Sequence, residues 1–391
     1  IQGLYDAHRN GAKVLALASH IPSRQIGSKF FQETHPEAIF QECSGYCEMV
    51  NSAEQGGVVL HHAIQSTMAG NGVSVLVIPG DVSMQEAEDD AFVESKISAG
   101  RPVVYPDPAE AAALTQAINE AKSVTLFVGA GVKDAREQVL KLAEKIKAPI
   151  GHALGGKMYI QYENPFDVGM NGLLGYGAAH EATHEADLLI LLGTDFPYND
   201  FLPDANVAQV DINGAHIGRR TKISYPVTGD VAATIENILP HVDEKKDRSF
   251  LDKMLKKHYG KLEHVVEAYT SNVDKHTPIH PEYVADLIDQ NADEDAIFTV
   301  DTGMCNVWGA RYITANGKRE QIGSFRHGTM ANALPQALGA QAANPGRQVI
   351  TFSGDGGLSM LMGELLTVKL HNLPIKMFAV SYTHLTLPTK A

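Results

Sequence analysis

The chain has 391 residues, too many for one ordinary domain, and with 44% hydrophobic and 20% charged residues it is too apolar to be disordered. Its 46 acidic and 32 basic residues give a formal net charge of −14, which excludes a nucleic-acid-binding role because no cationic excess is available to neutralise phosphates. Three cysteines cannot form a disulfide framework, and no apolar run reaches the roughly 18 residues of a membrane span, so we expect a cytoplasmic protein.

Short strands and helices are predicted to alternate along the whole chain. Residues 73–78 and 124–128 are almost uniformly apolar, which is typical of strands buried on both faces of a parallel sheet. Residues 135–147 carry an apolar stripe that predicts an amphipathic helix. This alternation predicts an α/β protein made of doubly wound parallel sheets. The other predicted strands are residues 187–192, 207–212, 296–300, 348–352 and 374–380.

Two breaks in this alternation predict domain boundaries. One is the acidic and then proline-rich stretch 85–108, and the other is the charged segment 241–252, which a polar helical region follows. The end of the chain carries no helical stripe and stops where a strand-to-helix connection is due. We therefore expect three globular units, and an end segment from about residue 381 that departs from the rest of the sequence.

The strongest local motif is Gly354-Asp355-Gly356-Gly357, directly after a predicted strand and before a helical pattern over 358–370. Ligands of open α/β sheets bind beyond the carboxyl ends of the strands, where a helix N-terminus favours an anion. The glycines would let the backbone approach a diphosphate, and Asp355 could give one oxygen to Mg²⁺. The alternative is a glycine-rich turn in which Asp355 only caps the helix.

A second glycine-rich turn, Gly129-Ala130-Gly131, also follows a predicted strand, but it lacks the third glycine of a dinucleotide fingerprint. Two further strand ends carry polar residues, in the segment Gly193–Pro197 and at Asp211. An acid in this position accepts hydrogen bonds from ribose hydroxyls in nucleotide-binding sheets. A simple turn that begins at Asp211 explains the residue equally well. Both interpretations stay open at this point.

Three other patterns are weaker. His180-Glu181-Ala182-Thr183-His184 fits the H-E-x-x-H pattern of zinc hydrolases, but it passes at once into a predicted strand, so we expect a connecting helix. Cys43 and Cys47 lack a partner pair, which argues against a zinc site. The segment 30–36 combines aromatic, amide, acidic and imidazole side chains, and loops of this kind often line sites.

Several long blocks, taken together and in order, resemble the thiamine-diphosphate-dependent enzyme family, and within it the bacterial flavin-linked pyruvate oxidase group of quinone-dependent pyruvate dehydrogenases. The resemblance extends over about residues 1–380. Several blocks in the right order are much more specific than any one of them. The blocks that carry the resemblance are residues 3–10, 31–36, 193–197, 323–333 and 354–357.

The resemblance implies three consecutive α/β domains that bind the pyrimidine ring, FAD and the diphosphate. Their expected ranges are 1–101, 102–253 and 254–380, with the first and last truncated and a tail of non-native sequence over 381–391. It implies that Asp355 ligates Mg²⁺ and that Gly356 and Gly357 contact the diphosphate. Phe31 and Gln32 are expected to approach the substrate across a subunit interface. The residues expected to line thiamine diphosphate are Gly328, Thr329 and Met330, and those expected to hold FAD are Met170, Asn171, Gly172, Leu173, Gly193, Thr194, Asp195, Phe196, Pro197 and Asp211.

The activity that the resemblance implies is oxidative decarboxylation of pyruvate to acetate and CO2. Thiamine diphosphate would supply the carbanion chemistry, and two electrons would pass to FAD and then to a membrane quinone. Sites of this family are built between subunits, so we expect a homo-oligomer, at least a dimer and by analogy a tetramer. The parent protein is expected in the cytoplasm or at the inner face of the plasma membrane, where a helix outside these residues would attach it.

Two positions depart from the family pattern. The glutamate that activates the aminopyrimidine belongs to a segment upstream of Ile1, and the second Mg²⁺ ligand, an asparagine, is replaced by Ser381-Tyr382. A tyrosine is a poor substitute for an amide oxygen. We therefore expect the chain by itself to be inactive. Two alternatives remain open: an acetolactate synthase, which also keeps FAD but joins the two-carbon unit to a second keto acid, and a stand-alone nucleotide-binding module.

Overall fold

The chain forms two compact units. The first comprises Ile1–Pro102 together with Ser324–Thr329, and the second comprises the remaining residues. The first unit holds one β-sheet and the second unit holds two. The residues that this computed structural model describes are 1–87, 95–204, 206–271, 273 and 275–381.

The elements of the first unit are α1 (Gln2–Asn10), β1 (Val14–His20), α2 (Pro36–Gln41), β2 (Tyr46–Met49), α3 (Ala53–Ser66) and β3 (Val73–Pro79). β3 lies between β1 and β2 and pairs parallel with both. Its alternating valines fill one face of the sheet. On the other face Leu76 packs against Val59 and Ala63 of α3. This unit is therefore a small parallel sheet with helices on both faces.

The central sheet has seven strands: β4 (Val124–Val128), β5 (Ile150–His152), β6 (Asp167–Met170), β7 (Tyr176–Gly177), β8 (Leu188–Leu192), β9 (Val207–Asp211) and β10 (Tyr225–Thr228). Their order is β10-β9-β8-β4-β5-β6-β7, and β7 pairs antiparallel with β6 while the other pairs are parallel. From β4 the chain continues to β5 on one side, and it later returns with β8 on the other side. The carboxyl ends of β4 and β8 therefore form the topological switch point, where sheets of this kind bind ligands.

The helices of this region are α4 (Pro108–Glu120), α5 (Arg136–Ile146), α6 (Lys157–Ile160), α7 (Ala179–Glu185), α8 (Val231–Ile238) and α9 (Ser249–Val265). The side chains of Asp107 and Asp230 accept the first free N–H groups of α4 and α8. α5 buries Val139, Leu142 and Ile146, which belong to the apolar stripe that predicted this helix. These helices close the main core of the protein around β4 and β8, whose residues are all buried.

The last sheet has the order β12-β11-β13-β14, with all pairs parallel. α12 packs Ala337 against Ile297 and Val349 of the sheet. Its strands are β11 (Ile297–Val300), β12 (Glu320–Gly323), β13 (Val349–Gly354) and β14 (Lys376–Val380), and its helices are α10 (Pro281–Asn291), α11 (Met304–Tyr312), α12 (Ala333–Ala343), α13 (Asp355–Met360) and α14 (Leu365–Leu370).

The predicted α/β class with parallel sheets is confirmed. Each predicted strand is present within about two residues of its expected bounds. The strands that were not predicted are short or lie at sheet edges, and they are β1, β2, β5, β6, β7, β10 and β12.

The helical pattern over 358–370 is broken between α13 and α14. The three predicted domain ranges each contain one sheet, although their limits stay predictions. The first predicted boundary falls partly on residues 88–94, which lie outside the described residues. Within the described part of the chain, every helix is too short or too polar to cross a bilayer.

Candidate functional site

Three parallel strands of the last sheet reach one edge side by side. β11, β13 and β14 are neighbours in register, and the residues that directly follow them are Asp301, Asp355 and, after β14, Ser381. Asp355 follows Gly354, which pairs with Val380. Because carboxyl ends of parallel strands meet at the same edge of a sheet, these polar side chains are gathered where open sheets bind ligands.

Asp355 is exposed and opens α13. Its Oδ1 accepts the N–H of Gly356 at 2.7 Å, and its Oδ2 accepts the hydroxyl of Ser381 at 2.7 Å. The residue at the cap position of the helix is Gly354, so Asp355 is the first helical residue and not the cap. The structure thus brings the predicted Mg²⁺ ligand next to the position where the family resemblance expects the second ligand.

The Asp355 and Ser381 oxygens suit a hard cation. Mg²⁺ in proteins is usually held by one or two carboxylates, with waters and substrate phosphates completing its octahedron. Among the residues that the structure describes, no group of three or more His, Cys, Asp or Glu side chains could hold a metal by itself. A cation at Asp355 would therefore need further oxygens, which waters and a phosphate can supply. The donor set fits Mg²⁺ bridged to a diphosphate better than a free metal ion.

Asp301 is a polar residue of this edge that the sequence analysis did not single out. It is buried, and its carboxylate accepts the N–H of Thr302 at 2.9 Å and backbone N–H groups of Ala331 and Asn332. Burial raises the pKa of Asp301 above its ordinary value. A Cβ at position 357 would overlap this carboxylate, so Gly357 is the residue that fits here. An acid directly after a buried strand, two residues before Gly303, was the signal that could have found it.

Several buried polar atoms around these strand ends have no hydrogen-bond partner among the described residues. They are Oδ2 of Asp301, Oδ1 of Asn332 and Oγ of Ser353. Asn332 is fixed because its Nδ2 donates to the carbonyl of Val300 at 3.0 Å. Buried polar groups in folded proteins are almost always satisfied by protein, water or ligand. The edge of the last sheet is therefore a polar cradle that fits a polar ligand.

At the switch point of the central sheet, the turn after β4 packs on the turn after β8. The N–H of Gly131 donates to the carbonyl of Gly193 at 2.9 Å. A Cβ at Gly129 would lie 2.6 Å from the Gly193 oxygen, and one at Gly131 would lie 2.7 Å from the Gly193 Cα. These two glycines are therefore explained by the packing of the two turns, as the weak fingerprint suggested.

The segment after β6 joins the same edge. Asn171 is buried, its Nδ2 donates to the carbonyl of Phe201 at 2.9 Å, and its Oδ1 accepts the N–H of Gly172 at 2.8 Å. Gly172 has φ 104°, and a Cβ there would be 3.0 Å from the rings of Phe196 and Tyr198. The structure thus brings together the predicted FAD residues that follow β6 and β8. Met170 and Phe196 are buried in the core, whereas Leu173 and Pro197 are exposed.

The acids of this edge are already engaged within the chain. Arg220 donates to both carboxylate oxygens of Asp195, at 3.0 and 3.3 Å, and Thr194 beside it is buried. Asp211 is buried, and its Oδ1 accepts the N–H of Asn213 at 2.9 Å. The turn that was the alternative interpretation of Asp211 is therefore present. A ribose hydroxyl that bound here would donate to the Asp211 carboxylate, which already accepts the N–H of Asn213.

In the first unit, Phe31 and Gln32 lie in an exposed loop, with Phe31 79% exposed. The carboxylate of Glu33 organises the loop because it accepts the N–H groups of Gly27 and, at 3.0 Å, of Phe30. These hydrogen bonds, that of Gly27 first, hold the pKa of Glu33 below its ordinary value. Gln32 has φ 64°, a left-handed conformation that this tight turn requires. The loop therefore presents an ordered aromatic side chain to solvent.

The segment Ser324–Thr329 is held by α1. The hydroxyl of Ser324 donates to Asp6 at 2.7 Å and accepts the N–H of Thr329 at 2.9 Å, and Gln2 donates to Thr329 at 3.0 Å. Gly328 has φ 74°, which favours glycine. Two of the blocks of family resemblance thus lie in contact. Met330 belongs to the second unit and is half-exposed.

Comparison with known protein families decides the assignment. Residues 111–238 match the model of the thiamine pyrophosphate enzyme central domain, and residues 301–382 match its C-terminal TPP binding domain, together more than half of the chain. The chain belongs to the thiamine pyrophosphate enzyme family. The second match begins at Asp301 and includes Asp355, so the cradle described above lies in the TPP binding domain of this family member.

Similar curated proteins align with almost all of this thiamine pyrophosphate enzyme. It is 33% identical to YdaP of Bacillus subtilis, provisionally named as thiamine pyrophosphate-containing, over 96% of the chain and 65% of YdaP. It is 29% identical to an acetolactate synthase of Mycobacterium bovis, over 97% of the chain and 63% of that protein. It is 27% identical to pyruvate oxidase of Lactiplantibacillus plantarum, over 96% of the chain and 62% of that protein.

The chain therefore spans less than two thirds of the length of these relatives. The identities to the synthase and to the oxidase are nearly equal, so they support the family and not the oxidase group within it. Of the predicted foreign tail, only Ser381 lies in the described residues, and the C-terminal family model reaches residue 382. The origin of the tail stays a prediction.

The H-E-x-x-H pattern lies on α7, a short connecting helix, as predicted. The rings of His180 and His184 have centroids 4.3 Å apart, and a ring nitrogen of His184 lies 2.9 Å from the carbonyl of His180. Glu181 forms an ion pair with Lys261 of α9. Glu181 stands where a zinc hydrolase has its general base, but here its carboxylate is engaged in an ion pair with Lys261. Cys43 and Cys47 are both free thiols.

Proposed function

We propose that the protein binds thiamine diphosphate with Mg²⁺ at the edge of the last sheet and FAD at the switch point of the central sheet. Its proposed reaction is the oxidative decarboxylation of pyruvate to acetate and CO2, with electrons passing through FAD to a quinone. The observation that carries the cofactor proposal is the exposed Asp355–Ser381 oxygen pair, at a sheet edge where three buried polar atoms have no hydrogen-bond partner among the described residues.

In this proposal Asp355 ligates Mg²⁺, and Gly356 and Gly357 contact the diphosphate, as the resemblance implies. Gly357 lacks a side chain that would collide with Asp301, so the backbone there can lie close to a ligand. Gly328, Thr329 and Met330 would line the cofactor, as the resemblance implies. Thiamine diphosphate supplies the carbanion chemistry when bound, and the chain supplies the metal ligand and the orienting cradle.

Calorimetric titration of the purified chain with thiamine diphosphate and MgCl2 tests the cofactor site. We expect saturable binding that requires Mg²⁺. Asp355→Asn should weaken it by about 100-fold, because the variant removes the charged ligand of a dication. Asp295→Asn, an exposed acid of the same domain, is the matched control and should bind as the unchanged chain does. Equal affinities for Asp355→Asn and Asp295→Asn would refute the assignment of Asp355.

The FAD proposal rests on three turns that meet at the switch point, those after β4, β6 and β8. Visible absorbance of the chain after incubation with FAD and gel filtration tests it. Retained flavin supports the proposal. A chain that instead keeps only an adenine nucleotide, with no visible absorbance, supports the alternative of a nucleotide-binding module.

The proposal of an oxidase reaction rests on the segment 31–36, which is the block that resembles the oxidase group. Phe31 is exposed on a loop that Glu33 organises, as a residue that meets a neighbouring subunit would be, so we also propose a homo-oligomer of two or four chains. The small number of cysteines supports the further proposal of a cytoplasmic location. Light scattering measures the oligomer. A monomer at working concentration contradicts it.

Pyruvate added anaerobically to the cofactor-loaded protein separates the two candidate reactions. Bleaching of the flavin with acetate formation supports the oxidase, and acetolactate accumulation without bleaching supports the synthase.

A further inference from the structure

One helix of the second unit connects the two candidate ligand sites. α11 begins directly after Asp301 and Gly303, at the carboxyl edge of the last sheet. Its other end lies against the segments that follow β5 and β6 in the central sheet, at the edge where FAD is proposed to bind. The helix carries Trp308, which is buried and is the sole tryptophan of the chain.

The C-terminal end of α11 is held by a buried lysine. Lys157 opens α6, is 1% exposed, and donates from Nζ to the carbonyl of Gly309 at 3.3 Å and to the carbonyl of Ile313. These carbonyls belong to the last turn and the following residue, which have no partners within the helix. A cation at this end also interacts favourably with the helix dipole. Lys157 therefore ties α11 to the segment after β5.

A second cation on the helix holds the segment after β6. Arg311 donates to the carbonyls of Leu174 and Gly175, the latter at 3.0 Å. Ala310 packs with Met170 and Tyr176 in a common buried cluster. The same segment begins with Asn171 and Gly172, and Asn171 donates to the carbonyl of Phe201 in the segment after β8. Movement of this segment would therefore move the C-terminal half of α11.

We propose that Lys157 and Arg311 are positioning residues that couple the two cofactor sites through α11. This inference rests on the proposed function, because it requires both thiamine diphosphate and FAD to bind. A ligand that orders the segments after β5 and β6 also restrains α11, and hence the strand end at Asp301. When the second ligand binds, the protein then loses less conformational entropy. Each cofactor therefore binds more tightly when the other is present.

The test is a linkage measurement on the full chain. Thiamine diphosphate with MgCl2 is titrated calorimetrically into FAD-free and FAD-saturated protein, and FAD is titrated in the reciprocal experiment. We expect the Kd of each cofactor to fall about fivefold or more when the other is bound, by the same factor in both directions. We call the ratio of the two Kd values, without and with the other cofactor, the coupling factor. If both cofactors bind and the coupling factor is one, the inference is overturned and the proposed function stays intact. Absence of binding overturns both.

Two variants assign the coupling to this helix. Lys157→Met keeps the buried stem but not the donor, and Arg311→Gln, on a partly exposed residue, removes the guanidinium. Each should lower the coupling factor toward one, because α11 then loses one of its two cationic ties to the central domain. Lys318→Met, an exposed lysine of the last domain, is the control and should keep the factor of the unchanged chain. The emission of Trp308 checks that α11 stays packed in each variant.

If Lys157→Met does not fold, Arg311→Gln decides the question. A variant that folds, binds both cofactors and keeps the full coupling factor refutes the role of its side chain. Uniform loss of both affinities with the factor preserved would show that the residue is only structural. The coupling factor is thus the readout that a merely structural lysine would not change.

Discussion

The two ligand edges of the second unit are built differently. At the edge of the central sheet, turns pack on turns without room for a Cβ, and the acids Asp195 and Asp211 are already paired within the chain. At the edge of the last sheet, Asp355 is exposed and the buried oxygen of Asp301 has no partner among the described residues. The edge of the central sheet is therefore closely packed, whereas the edge of the last sheet has polar groups that can still bind a charged ligand.

Because of this difference, a glycine-to-alanine substitution should act differently at the two sheet edges. Where turns are in backbone contact, an added methyl group meets main-chain atoms that cannot move separately. Where a glycine faces a side chain, the side chain can rotate, but the ligand site it belongs to then changes. We therefore expect stability changes to dominate at the central edge and binding changes to dominate at the last edge.

The largest expected effect on stability is that of Gly131→Ala. Its Cβ would lie 2.7 Å from the Gly193 Cα and 2.9 Å from the Gly193 oxygen, both main-chain atoms. Overpacking of this kind costs about 1–3 kcal/mol, and we expect a value near the upper end. Urea unfolding measures it. Gly260→Ala, in open space on α9, is the control and should be neutral or stabilising. Similar midpoints for the two variants would contradict the packing argument.

Gly357→Ala should have a smaller effect on stability, about 1–2 kcal/mol, because the Asp301 carboxylate that it meets can rotate. The rotation would break the hydrogen bond from the Thr302 N–H and displace the cradle. We expect about tenfold weaker binding of thiamine diphosphate. Gly354→Ala is the matched control, since nothing lies within 4 Å of its Cβ and its φ is −80°. Affinity that is equal in the two variants would show that Asp301 does not shape the site.

The pH dependence of the free energy of unfolding tests the burial of Lys157, which lies between the two sheet edges. Burial lowers the pKa of Lys157 from 10.5 to about 8, and the facing carboxylates of Asp289 and Asp167 oppose this shift. Between these pH values the unfolded chain binds more protons than the folded chain, so this group makes the protein more stable as pH rises. The increase should be absent from Lys157→Met when free energies of unfolding are compared from pH 7 to 10. Parallel curves for the two proteins would contradict it.

Much of the fold could be predicted because buried parallel strands are almost uniformly apolar. β4, β8 and β13 were found for this reason, and α5 was found from its apolar stripe. The strands β1, β10 and β12 were missed because they lie at sheet edges and keep polar residues. The site residue Asp355 was identified from its glycine neighbours. Asp301 was missed because its local signal, an acid directly after a buried strand and two residues before Gly303, is equally typical of simple turns.

By itself the sequence determined the alternation of strands and helices, the glycine-rich turn at Asp355 and the excess of acidic residues. The tertiary structure decided that Ser381 donates to Asp355, that Asp301 faces Gly357, and that Lys157 holds α11. The reason is physical. Strand and helix periodicity is a local property of a few residues, whereas these contacts depend on the order in which distant strands pair, and pairing order sets which strand ends become neighbours.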